Sequence, residues 1–293
     1  MITRRVLLSA AALTSLGGLA GLSGCSGGVE GTAPEASKPG EPVDVRYGDD
    51  DSQVAELHWP AGDGKVPVAV VIHGGFWMSG YGMELATPLA KDLATVGIAG
   101  YAIEYRRMGN GGGWPATFED VASAIDALKD QPRADLDKVV AVGHSAGGHL
   151  AVWAVSRQGL PAGAPGASPA VVLAGAVSQA GVLDLVNAYD VQLGGDAIAS
   201  FVGATPDEDP ARYELASPYE RLPLKVPVAL VHGTRDGQVP LDQSRRYRAA
   251  AVKAGDEAKL TELPHIGHFE LIDPYDQAWL TCRAETERLL GLT

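Results

Sequence analysis

The chain has 293 residues, 46% of them hydrophobic and 20% charged, a globular composition long enough to bury most of its unfolded surface in one core. Its formal net charge of −13 argues against nucleic acid as a partner class, because a binder must bring Lys and Arg to the phosphates. The two cysteines, Cys25 and Cys282, exclude a disulfide framework.

The chain begins with basic "MITRR" and runs into the uncharged "VLLSAAALTSLGGLAGL". Residues 1–24 read as a cleavable export signal and not a spanning helix, being short, interrupted by glycine and closed by small residues. "LSGC", Leu22 to Cys25, is similar to a bacterial lipobox. It implies that Cys25 becomes the lipidated first residue of an exported chain on the outer face of the cytoplasmic membrane, touching the membrane through that anchor alone. Thr3 to Leu8 resembles a twin-arginine signal, with the general secretory route as the alternative. Residues 26–42, rich in Gly, Pro, Ser and Glu, read as a tether. Cys282 lies among apolar neighbours in a helix-like stretch and is expected to be buried and inert.

From residue 43 the pattern alternates. "VDVRYG" and "QVAELHWP" predict two strands around the turn Asp49-Asp50-Asp51. "VPVAVVIHGG" is a continuous apolar run, as in a strand buried on both faces. A helix is predicted near "ELATPLAKDLATVG", a strand at "IAGYAIEY", a mobile glycine-rich loop at "RRMGNGGGWP" beside the site and a helix at "ATFEDVASAIDALKD". "KVVAVG" and "AVVLAGAVSQA" predict strands flanking the helix "GGHLAVWAVSRQ". After an irregular stretch at 183–223 come "VPVALVHG", "DQSRRYRAAAVKAG", "KLTELP" and "DQAWLTCRAETERLLG", in the order strand, helix, strand, helix. Alternation of this kind means βαβ units, a mostly parallel sheet, and a site at the carboxyl ends of the strands.

One motif stands at such an end. Gly143-His144-Ser145-Ala146-Gly147 fits G-x-S-x-G, with a predicted strand before it and a helix after it, the setting of a nucleophile elbow. Gly24-Cys25-Ser26-Gly27-Gly28 fits the same pattern without strand or helix. The glycines at 143 and 147 are expected to permit the tight backbone, and Gly148 to let the helix pack closely. A serine needs a base that is itself oriented by a third group. Asp236 follows the strand "VALVHG", with Asp242 as the alternative, and His265 and His268 follow "KLTELP". Gly74 and Gly75, after "VVIH", together with Ala146, are the candidate oxyanion donors, with Phe76 as a substitute for one glycine.

"HGGFW", "GHSAGGHLA", "HGTRDGQVP" and "GHFELIDP", in that order, resemble the α/β-hydrolase superfamily, in particular its esterase branch with an HGG(x)W oxyanion motif. The resemblance implies an eight-stranded, mostly parallel sheet flanked by helices over residues 43–293, with a small lid near 183–223. It also implies Ser145 as nucleophile, Asp236 as orienting acid, and His268, between glycine and phenylalanine, as base. Lipases typically carry a third glycine where this chain has Phe76 and Trp77, which points to a smaller acyl pocket, with Phe76, Trp77 and Trp114 as candidate walls. His73 is expected to brace the oxyanion loop, and His144 and His149 to pack. No metal or cofactor is expected, since no histidine shows helical metal-ligand spacing or a cysteine partner. The glycine run at 111–113 lacks P-loop or dinucleotide-binding spacing. The implied reaction is hydrolysis of small or aryl carboxylic esters through an acyl-enzyme. The alternatives are an arylformamidase-like amidase on the same triad and a surface lipoprotein that binds without catalysis.

Overall fold

The computed structural model describes residues 41–293; the expected export signal, Cys25 and nearly all of the expected tether lie outside the described residues. Strands β1 (Val43–Arg46) and β2 (Val54–His58) form the predicted hairpin. The Asp50 carboxylate closes its turn by accepting from the Ser52 N–H at 2.8 Å. They are followed by β3 (Val66–Ile72), β4 (Ala99–Ile103), β5 (Ala134–His144), β6 (Gly175–Gln179), β7 (Val228–Gly233) and β8 (Ala258–Leu263). The eight strands run in the order β1-β2-β4-β3-β5-β6-β7-β8. The pairings of β2 with β1 and β4 are antiparallel and all others are parallel.

Successive side chains of a strand point to opposite faces, and the central strands use both. Val68, Val70 and Ile72 join one buried cluster, while Ala69 and Val71 join the other. Helices α1 (Thr87–Thr95) and α8 (Gln277–Leu289) cover the second face through Leu89, Leu93 and Trp279. The first face is covered by α2 (Ala116–Asp126), α3 (Ala146–Val155) and α7 (Asp242–Ala254), through residues such as Phe118, Leu150 and Tyr247. All ten residues of α3 are buried, which is why its sequence shows no polar face. Among the described residues no helix is long and apolar enough to cross a membrane.

The stretch at 183–223 contains α4 (Leu185–Asp190), α5 (Ala197–Val202) and α6 (Pro210–Ala216). Asp184 caps α4 through the Asn187 N–H, Asp209 caps α6 through the Arg212 N–H ahead of Pro210, and Gly203 ends α5 in the left-handed region. Arg246 holds Asp184 at 2.9 Å, and the indole of Trp153 donates to the Leu215 carbonyl at 3.1 Å. The glycine-rich loop is also tied down. The Gly113 N–H donates to Thr117 Oγ1 at 2.9 Å, and a Cβ on Gly112 would lie 2.1 Å from the Arg106 carbonyl oxygen. Close packing, and not proximity to the site, accounts for that glycine.

Cys282 is fully buried on α8, and burial pushes its thiol up to about 12. In the folded protein the Cys282 peptide is expected to remain unmodified by iodoacetamide at pH 8 and to react fully in denaturant, because the thiolate is the attacking species. Rapid native alkylation at Cys282 would contradict this burial.

Candidate active site

Ser145 is the single residue between β5 and α3. Its backbone stands at φ 57°, ψ −120°, a strained conformation that costs a non-glycine residue about 1–3 kcal/mol and persists only where the surroundings dictate it. They do so here: its N–H donates to the Gln179 carbonyl at 2.8 Å, and its carbonyl accepts from the His149 N–H at 3.1 Å. The neighbouring glycines permit the tight backbone by close approach and not by a positive φ. Neither Gly143 nor Gly147 adopts a positive φ. A Cβ on Gly143 would meet the Gly147 carbonyl oxygen at 2.1 Å, and one on Gly147 would meet the carbonyl oxygens of Ile72 and His73 at 2.1 and 2.4 Å. The glycines let β5, the turn and α3 nest against β3, and Ser145 itself carries the strained angle.

Asp236 lies in the loop after β7, with its side chain wholly buried. One carboxylate oxygen accepts from the N–H groups of Gln238 and Val239, both at 2.8 Å, and the other faces His268 Nδ1 at 2.6 Å. Burial alone would raise this carboxyl group, but hydrogen bonds from His232 and His268 outweigh it and hold the group well below the usual carboxylate range. His268 comes from the loop after β8. With Nδ1 committed to Asp236, its Nε2 has no hydrogen-bond partner among the described residues. His268 and Ser145 line one cavity of about 100 Å³, but no hydrogen bond joins them among the described residues. His265 is exposed at φ 67° with its N–H on Thr234, and Asp242 is exposed at the start of α7; neither lines the cavity.

His144 does more than pack. Its ring lies 4.3 Å from that of His268, and Nε2 donates to the His268 carbonyl at 2.9 Å, fixing the main chain of that residue. Burial, with His268 adjacent, pushes its pKa down to about 3. His149 donates from Nε2 to the Ala216 carbonyl at 2.8 Å, and burial pushes it down to about 4. Both rings bind fewer protons folded than unfolded below their ordinary value near 6.5. Their stabilising contribution is therefore complete above that value and is lost as the pH falls toward 3–4. Unfolding free energy is expected to drop by about 1.4 kcal/mol per pH unit per histidine in that window. In denaturant titrations at pH 7, 6 and 5, His149→Gln, whose amide can still donate, should flatten the slope. An unchanged slope would contradict the neutral His149.

The candidate oxyanion loop follows β3. Gly75, at φ 115°, accepts from the Met78 N–H at 2.9 Å, closing a turn whose central residues, Phe76 and Trp77, stand at φ 49° and 55°. Two left-handed aromatic residues are tolerated because their rings are locked by packing. Trp77 is fully buried, stacks on Phe201 with centroids 4.3 Å apart and meets His149 edge-on. This corrects two of the expected pocket walls. Trp77 is core, and Trp114 packs edge-on against Phe118; neither lines the cavity, whereas Phe76 does. Gly75 also lines it, while Gly74 is pressed against Ser145, where a Cβ would come within 3.0 Å of the serine Cβ. Ala146 begins α3 beneath the serine, and its N–H has no partner among the described residues. Such a free N–H at a helix N-terminus favours negative charge.

His73 is the expected brace. Its Nδ1 meets the Gly74 carbonyl at 2.8 Å and its Nε2 meets Glu104 Oε1 at 3.0 Å. Burial alone would raise the Glu104 carboxyl group, but His73 and the N–H groups of Tyr105 and Met83 outweigh it and set it below its ordinary value. The only sequence signal for Glu104 is a lone acid closing an otherwise apolar strand. The remaining cavity walls, Tyr81, Leu85, Phe269 and Ile272, with Gln238 at one side, were not foreseen. Three loops supply them, and no local spacing links those loops.

Comparisons with known proteins agree with this architecture. The esterase LipQ of Mycobacterium tuberculosis is 31% identical over 212 residues, covering 70% of this chain and 50% of its own, so the chain spans about half the length of that relative. A carbohydrate esterase from gut microbiota, in truncated form, superposes with a TM-score of 0.75 at 20% identity, covering 89% of this chain and all of its own. Esterase B of Lactobacillus rhamnosis gives 0.73 at 21% identity, covering 87% and 86%. These two solved structures share the α/β-hydrolase fold. The sequence model of the BD-FAE family matches residues 56–250, and the chain belongs to that family.

Proposed function

We propose that the protein is a serine esterase for small, uncharged carboxylic esters. The observation that carries the reading is one cavity that gathers Ser145 on a strained turn and His268 held at 2.6 Å by a buried, ionised Asp236. In this mechanism Ser145 Oγ attacks the ester carbonyl while His268 Nε2 takes its proton. The N–H of Ala146, with that of Gly75 or Phe76, receives the developing oxyanion, each such donor being worth about 3 kcal/mol. The imidazolium, steadied by Asp236, returns the proton to the leaving alcohol, and water releases the acyl group by the same path reversed.

The walls support the substrate class. Apart from the histidines, no ionisable side chain lines the cavity except Tyr81, and Leu85, Ile272 and Phe269 make it apolar. Its small volume, about 100 Å³, favours short acyl groups. The purified protein is expected to hydrolyse nitrophenyl acetate and butyrate faster than the decanoate, and faster than an N-formyl aryl amine. Preference for the formamide would replace this reading with the amidase, and no turnover of either would leave the binding lipoprotein.

A further inference from the structure

His232 takes no part in the chemistry above, yet it is the second imidazole on Asp236. It is fully buried on β7. Its Nε2 lies 3.3 Å from Asp236 Oδ2 and 3.0 Å from the Val239 carbonyl oxygen, and its Nδ1 lies 2.8 Å from Ser244 Oγ in the first turn of α7. A carboxylate and a carbonyl only accept, so Nε2 carries a hydrogen, and its tautomer follows from its partners. Asp236 thus takes three hydrogen bonds, from the N–H groups of Gln238 and Val239 on Oδ1 and from His268 on Oδ2, and the single Nε2–H of His232 is shared between the Val239 carbonyl and Oδ2. A buried carboxylate held on both oxygens cannot turn about its Cβ–Cγ bond without leaving the His268 Nδ1–H or the two backbone N–H groups unpaired.

We propose that His232, held in place by Ser244, is a positioning residue for the active site: it locks the Asp236 carboxylate so that Oδ2 stays on His268 Nδ1–H and His268 Nε2 stays free to accept the proton of Ser145. The inference rests on the esterase reading given above. The same ring also ties β7 to α7, so a loss of activity alone would not separate positioning from packing. A double-mutant cycle does, because residues acting through one group are strongly non-additive.

The experiment measures kcat and KM for nitrophenyl acetate on the full chain and on His232→Ala, His232→Gln, Asp236→Asn and the His232→Ala/Asp236→Asn double variant. Removing an orienting partner commonly costs about 10- to 100-fold. That loss is expected in kcat for His232→Ala with KM nearly unchanged, recovered largely by His232→Gln, whose amide N–H reaches the same carboxylate. In the Asp236→Asn background the His232→Ala change is expected to cost almost nothing further. Parental kcat in His232→Ala, an equal loss in both backgrounds, or a glutamine as poor as alanine would each overturn the proposal. Parental activity in Asp236→Asn would instead overturn the triad reading itself. Should His232→Ala not fold, Ser244→Ala replaces it in the cycle. A smaller kcat loss that vanishes with Asp236→Asn supports the proposal, and an undiminished loss in that background overturns it.

Discussion

Ser145→Ala and His268→Ala are each expected to lower kcat for a short-chain nitrophenyl ester by about a million-fold, and Asp236→Asn by about ten-thousand-fold. The asymmetry follows from the roles: without the serine no acyl-enzyme forms, and without the imidazole nothing takes its proton. A mispaired carboxamide leaves both groups in place with the wrong tautomer. A triple variant should be scarcely slower than Ser145→Ala, because the three residues act as one unit and the residual rate comes from the oxyanion donors and binding. Ser145→Ala should keep the parental thermal transition within a few degrees, whereas Asp236→Asn, which sets a buried amide N–H against the donors on that carboxylate, should melt lower. An alanine at position 145 inherits the φ of 57° but removes only a hydroxyl that makes no hydrogen bond among the described residues. Stopped assays with quantified protein would check the ranking. Turnover near the parental rate in Ser145→Ala would place the chemistry elsewhere.

Gly147→Ala is expected to be strongly destabilising. Its Cβ would fall 2.1 Å from the Ile72 carbonyl oxygen and 2.4 Å from that of His73. Both are backbone atoms of the segment that leads into the oxyanion loop, so neither can swing aside as the end of a flexible side chain would. Overpacking a core costs about 1–3 kcal/mol, and more where backbone must shift. A loss above about 3 kcal/mol would lower the thermal midpoint by roughly 10 °C in a domain of this size. Because the clash separates β3 from the elbow, activity should fall with it. Gly163→Ala is the control. Nothing lies within 4 Å of its added methyl, although φ 86° still strains the backbone, so its cost should be smaller and activity should be unaffected. A Gly147→Ala midpoint within 2 °C of the parent, measured by calorimetry, would contradict the packing described here.

The sheet was legible because burial on both faces writes itself as unbroken apolar runs. "VPVAVVI" and "KVVAVG" became β3 and β5, and the glycine-flanked turns marked where strands stop. Asp236 and His268, which pair at 2.6 Å, were legible as loop residues directly after strands. What could not be read was anything set by contact between distant segments. Trp77 looked like a pocket wall because it follows the oxyanion glycines. Its side chain instead turns inward onto Phe201, which lies in the 183–223 insertion and is invisible to local spacing. Glu104, His232 and the cavity walls Leu85 and Ile272 were missed for the same reason. Gly143 and Gly147 read as permitting a tight backbone, and they do so by close approach; a sequence does not separate that cause from positive φ, since both select glycine.

The central claim is that Ser145 is an activated nucleophile. Labelling the folded protein with a fluorophosphonate and mapping the modified peptide tests it most directly. The account predicts label on Ser145 alone, lost after heat denaturation and lost in His268→Ala. A folded protein that takes no label, or takes it on another residue, would contradict it.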